Sequence, residues 1–275
     1  MKESKLLINE MKVEKRHIVQ IFLFFLIIPF LSGCNMKKNN WFNRNYQALN
    51  TRYNVHFNAN ESFKKGYKKI EESFSPDYSH VIPVFAVSDK STEGVGKNDM
   101  SRAIEKCELA IQERSMQKKP KKDYSKMKDP NYVMFYNQEE FNSYMDEVWM
   151  LLGQAKFYSN DYLAASATFT YVIKHFSLDE NLVTKANIWK ARSMKELEWY
   201  YEAEDILKRI DSEELPYDLV GLYNGAYADL KVAQREYDEA LPYLLKAVEL
   251  EEDRTQRIRF SYVIAQIYQL KKKKK

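Results

Sequence analysis

The stretch WMLLGQAKFYSNDYLAASATF, residues 149–169, decides the fold because its pattern returns twice further along the chain. Its segment Tyr162-Leu-Ala-Ala165 is followed by Tyr200-Tyr-Glu-Ala203 and Tyr237-Asp-Glu-Ala240, at spacings of 38 and 37 residues. A small residue stands 12 positions before each final alanine, and a large apolar residue stands four positions after it. Such fixed-period similarity is typical of repeated helix pairs. The pattern therefore predicts an all-α fold.

The pattern resembles the tetratricopeptide repeat, in which small residues let two helices approach closely and larger ones fill the space between repeats. Lys156 is a departure, since the family has tyrosine at this position. The resemblance implies a helical solenoid. The residues predicted to pack within and between the repeats are Trp149, Leu152, Gly153, Tyr162, Ala165, Phe169, Ala191, Tyr200, Ala203, Leu207, Ala228, Tyr237, Ala240, Leu244 and Ala265.

The repeats predict a solenoid over residues 137–270, with three complete repeats and one terminal helix, Gln256–Leu270. The complete repeats span Asp146–Leu178, Val183–Leu215 and Leu219–Glu252. Residues 34–136 are predicted to form an irregular helical region that includes an extended stretch and a basic linker. Five lysines, residues 271–275, follow the terminal helix. They suggest a soluble end, a contact with an anionic membrane or a truncated chain.

The first 33 residues have the pattern of a lipoprotein signal peptide. Lys12, Lys15 and Arg16 precede an apolar run that ends in Leu31-Ser-Gly-Cys34. The run is too short to span a bilayer but has the length of a signal-peptide core. Small residues before a cysteine resemble the lipobox of bacterial lipoproteins, which implies cleavage before Cys34 and acylation of its thiol. The alternative is a short uncleaved membrane anchor with an incidental cysteine.

Composition and motifs argue against catalysis and nucleic-acid binding. The net charge of +4 comes from the signal segment and the terminal lysines, so the body of the chain has no basic footprint. The four histidines are scattered without metal-ligand spacing, and no nucleotide loop or nucleophile motif occurs. Cys107 lies on an apolar helix face and is predicted to be a buried structural thiol. We expect no enzymatic activity, cofactor, metal or small-molecule substrate.

The start of the mature chain resembles a specific family. The segments that carry this resemblance are Cys34–Trp41, Asn45–Asn58, Glu61–Gly66 and Tyr78–Phe85. They are similar to the tetratricopeptide lipoproteins of the gliding-motility and type IX secretion machinery, of the SprE/PorW kind. The resemblance implies a lipid-anchored protein of the outer membrane, on its periplasmic side, that binds other secretion components. Members of that family are much longer, so this chain would correspond to their N-terminal part.

Two other functions fit the same pattern. One is a tetratricopeptide lipoprotein of outer-membrane barrel assembly, although its repeats begin soon after the anchor, whereas the clear repeats here begin at residue 146. The other is a general periplasmic scaffold that binds peptides. A glycan-capturing lipoprotein is disfavoured because the chain has no room for a large sugar-binding region.

Repeat solenoids leave one long face free, and this face often binds a partner segment. Its candidates here are polar or aromatic residues of the first helix in each repeat that the packing pattern does not use. They are Gln154, Asn187, Lys190, Asn224 and Tyr227. Asn187 matches Asn224 in repeat position, and Lys190 matches Tyr227. We predict that these residues contact a secretion-machinery partner.

Overall fold

The structure, a computed structural model, describes residues 38–273. The predicted signal peptide, Cys34 and the last two lysines lie outside the described residues. Within residues 38–273 all regular structure is helical and no strand occurs, which confirms the all-α prediction. The α-helices are α1 Trp41–Asn50, α2 Phe57–Ser73, α3 Lys97–Arg114, α4 Pro130–Asn137, α5 Met145–Tyr158, α6 Tyr162–His175, α7 Glu180–Glu196, α8 Tyr200–Lys208, α9 Tyr217–Ala233, α10 Tyr237–Leu250 and α11 Arg254–Lys273.

The N-terminal region is more regular than its sequence pattern indicates. In this region, which the sequence predicts to be irregular, α1 and α2 form one continuous helical run joined by a π-helical turn, Thr51–His56. Helices α2 and α3 pack against each other, and α3 packs against α5. The two backbones come close where Gly96 opens α3, because a Cβ atom there would lie 2.7 Å from the Gly66 carbonyl oxygen. The stack of helices therefore starts well before residue 137.

From α5 onward the helices pack as consecutive pairs. Helices α5 and α6, α7 and α8, and α9 and α10 form three consecutive pairs, and α11 packs against α10. We call α5, α7, α9 and α11 the first helices. Each pair turns through one residue with a left-handed backbone, namely Asn160, Glu198 and Arg235, with φ of 65°, 62° and 62°. These residues follow the 38- and 37-residue spacing of the sequence repeat, so the three turns are equivalent.

Close packing explains the small residues of the pattern. A Cβ atom on Gly153 would lie 2.5 Å from a ring carbon of Phe169, so the contact between α5 and α6 requires glycine. Ala165, Ala203 and Ala240 are fully buried at the matching positions of the three pairs. All the other predicted packing residues are buried or half-buried, except one. Ala265 of α11 is exposed, because no described helix packs on that side of α11.

The last helix differs from the sequence expectation at both ends. It begins at Arg254 and continues to Lys273, so the first lysines of the predicted tail are helical. Lys271 forms an ion pair with Asp238 of α10, which ties the end of α11 to the preceding helix. Phe260 and Ile267 of this helix are buried among residues of α10 and of the segment before α3.

Candidate functional site

The segment between α2 and α3 crosses the first helices and covers much of their shared face. We call residues 74–92 the strap. Residues 81–85 contain no helix, and Phe85 has an extended backbone before the 3-10 turn Ala86–Ser88. Ile82, Val84 and Ala86 are buried, while Pro83 and Phe85 between them are half-buried. The sequence does not indicate where this stretch lies.

Side-chain amides of α11 hold the backbone of the strap. The Gln266 amide donates to the His80 carbonyl at 2.7 Å and accepts from the Ile82 N–H at 3.0 Å. The Gln256 amide donates to the Val84 carbonyl at 2.7 Å. These bonds bind the main chain while alternate side chains enter the core, which is also how extended peptide ligands are bound.

Phe85 at the centre of the strap lies against an arginine of α7. The Arg192 guanidinium carbon lies 4.1 Å from the centre of the Phe85 ring and 4.2 Å from the Trp189 ring. Two of its nitrogens, Nε and Nη2, are buried with no hydrogen-bond partner among the described residues. Attraction between the cation and the aromatic rings offsets part of that cost. Gly225 of α9 makes room for the ring, since a Cβ atom there would lie 3.2 Å from Phe85.

A buried ion cluster joins the strap to α7 and α9. The Lys195 ammonium lies 2.6 Å from Asp229 Oδ2 and 2.7 Å from Glu196 Oε1, and it donates to Ser88 Oγ at 3.0 Å. Burial alone would lower the pKa of Lys195, but Asp229 and Glu196 outweigh it and raise this pKa above its ordinary value. Lys195 therefore stays charged at neutral pH.

The start of the strap is held by a second buried cation. Arg259 of α11 pairs with Glu71 at the end of α2, with Nη2 2.6 Å from Oε2. Its guanidinium carbon also lies 4.3 Å from the centre of the Phe74 ring. Through these two contacts, α11 holds both the end of α2 and the start of the strap.

The strap-facing residues share one repeat position that the sequence analysis did not select. Each stands immediately after the small residue of its first helix: Arg192 after Ala191, Asp229 after Ala228 and Gln266 after Ala265. Gln154 holds the same position after Gly153 and is the one predicted candidate in this register. All four first helices have a polar residue at this position. Aligning the repeats would have shown this shared position and so indicated the helix face that contacts the strap.

The other predicted partner residues lie outside the strap contacts described above. Asn187 and Asn224 are half-buried, and their side-chain amides donate to Val183 and Val220 of their own helices. Lys190 is also half-buried, so these three keep part of their surface open. Tyr227 is only 4% exposed and stacks on Tyr243 at 4.3 Å, which leaves it little surface for a partner.

Outside the strap contacts, the described residues include a buried thiol and an open cavity. No cluster of three or more His, Cys, Asp or Glu side chains suited to a metal ion occurs within the described part of the chain. Cys107 is buried, as predicted, and its burial raises the pKa of the thiol to about 12. A cavity of about 870 Å³ lies between α1, α4 and the α6–α7 turn and is open to solvent. Across residues 38–273, none of the helices has the length and apolar character that crossing a membrane requires.

Comparison with known proteins adds no assignment. No model of a protein family matches the chain, and no curated protein matches it.

Proposed function

We propose that this protein is a lipid-anchored interaction scaffold of the outer membrane that serves type IX protein secretion and gliding motility. Support comes from the lipobox at Cys34, the repeat pattern and the resemblance of residues 34–85 to that family of lipoproteins. The described residues add a stack of consecutive helix pairs. Barrel assembly remains the alternative within the same class of anchored scaffolds.

We also propose that the stack is a tetratricopeptide solenoid. The observation in favour is the backbone equivalence of the three turns at Asn160, Glu198 and Arg235. Each turn is closed by the same hydrogen bond, in which the residue after the left-handed one donates to a carbonyl five residues earlier. The motif satisfies the last carbonyls of the first helix and sets the angle of the second.

The binding of the strap favours peptide recognition as the way in which the scaffold works. The first helices hold an extended segment through backbone hydrogen bonds from Gln256 and Gln266 and through an apolar site for Phe85. A partner segment would use the part of α7 and α9 outside the strap contacts, here called the open strip, where Asn187, Lys190 and Asn224 keep part of their surface exposed. The same observation supports the general peptide-binding scaffold as a second function.

Lipid attachment at Cys34 is the first test of this proposal. Cells grown with radiolabelled palmitate should label the wild-type protein, and the label should disappear in Cys34→Ser because the thiol carries the acyl chains. Wild-type protein should fractionate with the outer membrane. Label that persists in the variant, or wild-type protein that is soluble in the periplasm, would contradict the anchor.

Partner binding at the open strip is the second test. A combined Asn187→Glu, Lys190→Glu and Asn224→Glu variant should retrieve far less of the secretion-machinery proteins that the wild type retrieves from detergent-solubilised membranes. The matched control places glutamate at three exposed positions of the second helices, Thr170, Lys174 and Lys246. Both variants should keep the wild-type helical spectrum. Equal retrieval by the wild type and the strip variant would exclude this surface.

A further inference from the structure

Helix α1 and the π-helical turn after it carry their large apolar side chains on the outside. Phe42, Tyr46, Leu49, Tyr53 and Phe57 follow one another at spacings of three or four residues and are 44–65% exposed. Trp41 beside them is 72% exposed. The wider π-helical turn keeps Tyr53 and Phe57 on the same side as Leu49 despite the four-residue steps. These six residues form the outer face of α1.

The polar side chains of the same helix point inward. Asn43, Gln47 and Thr51 are each at most 5% exposed. Gln47 accepts a hydrogen bond from Arg114 of α3 at 3.2 Å, and Thr51 accepts one from Asn142 at 2.9 Å. Rotation of the helix would break these hydrogen bonds and leave buried polar groups without hydrogen-bond partners. The apolar face is therefore fixed towards the outside, and such a face marks an interaction surface.

Along the chain, the segment that carries this face is basic. Residues 35–60 contain no Asp or Glu but include Lys37, Lys38, Arg44 and Arg52. The Arg52 guanidinium lies over the ring of Tyr53, at 5.0 Å from its centre. Tryptophan, tyrosine and phenylalanine beside basic residues are the composition of helices that lie in the interface of an anionic membrane.

Chain length brings the face to a membrane under either interpretation of the N-terminus. Trp41 lies seven positions after Cys34, and a fully extended chain of that length reaches at most about 25 Å. An uncleaved anchor would end at Leu31, ten residues before Trp41. A second copy or another protein would have to compete for this face with the bilayer surface, to which the chain is tethered only a short distance away.

We propose that the outer face of α1 lies on an anionic phospholipid bilayer, with Trp41, Phe42 and Leu49 in the headgroup region and the exposed Lys38 and Arg52 facing lipid phosphates. The proposal rests on the membrane attachment of the proposed function. It adds a second, non-covalent contact to the lipid anchor, and this contact sets the orientation of the body of the protein against the membrane surface.

The test removes the covalent anchor. Residues 39–275 form a compact unit with their own core, so a protein of residues 35–275 lacks both the signal segment and Cys34. It should float with vesicles of phosphatidylglycerol and phosphatidylethanolamine at low salt, and less with neutral phosphatidylcholine vesicles. Tryptophan emission should shift to the blue on binding, and Trp41→Phe should remove the shift while flotation persists.

The decisive variant is Phe42→Gln, Leu49→Gln and Phe57→Gln, which should weaken vesicle binding by at least about tenfold. Its control replaces by glutamine three leucines exposed on other helices, Leu109, Leu163 and Leu245, and should bind like the wild type. Failure of the unlipidated protein to bind anionic vesicles would overturn the proposal, whatever the palmitate result at Cys34. A wild-type dimer in sedimentation that the triple variant abolishes would assign the face to a second copy instead.

Discussion

Replacing Val84 by aspartate is expected to lower the free energy of unfolding by at least about 3 kcal/mol, because a charged carboxylate would replace a fully buried apolar side chain. Val84 is fully buried among residues of α9, α10 and α11. The substitution should also free the strap, which would appear as faster amide exchange at residues 80–88. Chemical denaturation and hydrogen-exchange mass spectrometry measure the two effects.

Ser75→Asp is the matched control for this prediction. Ser75 is exposed in the same strap, so the added charge stays in water and stability should change by no more than about 0.5 kcal/mol. Equal losses in the two variants would mean that the strap contributes only through its local conformation. A small loss in Val84→Asp would show that the strap leaves the first helices in solution.

The repeats could be predicted from the sequence because their packing demands particular residue sizes. Gly153 must be glycine to admit Phe169, and Ala191, at the matching position of the next pair, is small and buried. These constraints recur at each pair, so their period is visible without any structure. They locate helices α5 to α11 and the turns between them.

The strap and its register could not be predicted in the same way. Its apolar residues, such as Ile82 and Val84, indicate an extended buried segment but do not identify the surface that it meets more than 100 residues later. The contacts of Gln256 and Gln266 with the strap join positions over 170 residues apart. Sequence reasoning therefore treated the first-helix face as open, whereas the chain itself occupies much of it.

The sequence also did not reveal that the apolar side of α1 faces outward. An amphipathic pattern shows that apolar and polar residues lie on opposite sides, but it does not show which side faces the protein. Here the hydrogen bonds of Gln47 and Thr51 decide the orientation, and their partners Arg114 and Asn142 belong to distant parts of the sequence.

Lys195→Met should lower the free energy of unfolding by about 3–5 kcal/mol, because it leaves the buried carboxylates of Asp229 and Glu196 without their cation. Lys195 and Asp229 are both nearly inaccessible to solvent. Lys190→Met, half-buried on the same helix, serves as the control and should change stability by no more than about 0.5 kcal/mol. Urea denaturation of the purified protein measures both.

The double variant Lys195→Met and Asp229→Leu separates the ion pair from the loss of either charge. It removes the stranded carboxylate and should recover about 2 kcal/mol relative to Lys195→Met, since paired buried charges can be replaced by apolar groups at little cost. Because its pKa is raised, Lys195 stays charged below about pH 10.5, the ordinary lysine value, and its contribution to stability is fully present there. Lys195 loses its charge in the folded protein only as the pH rises further. The gap between wild type and Lys195→Met should therefore be constant from pH 7 to about pH 9. No recovery in the double variant would mean that Glu196, which also accepts from Ser88 at 2.5 Å, dominates the cluster.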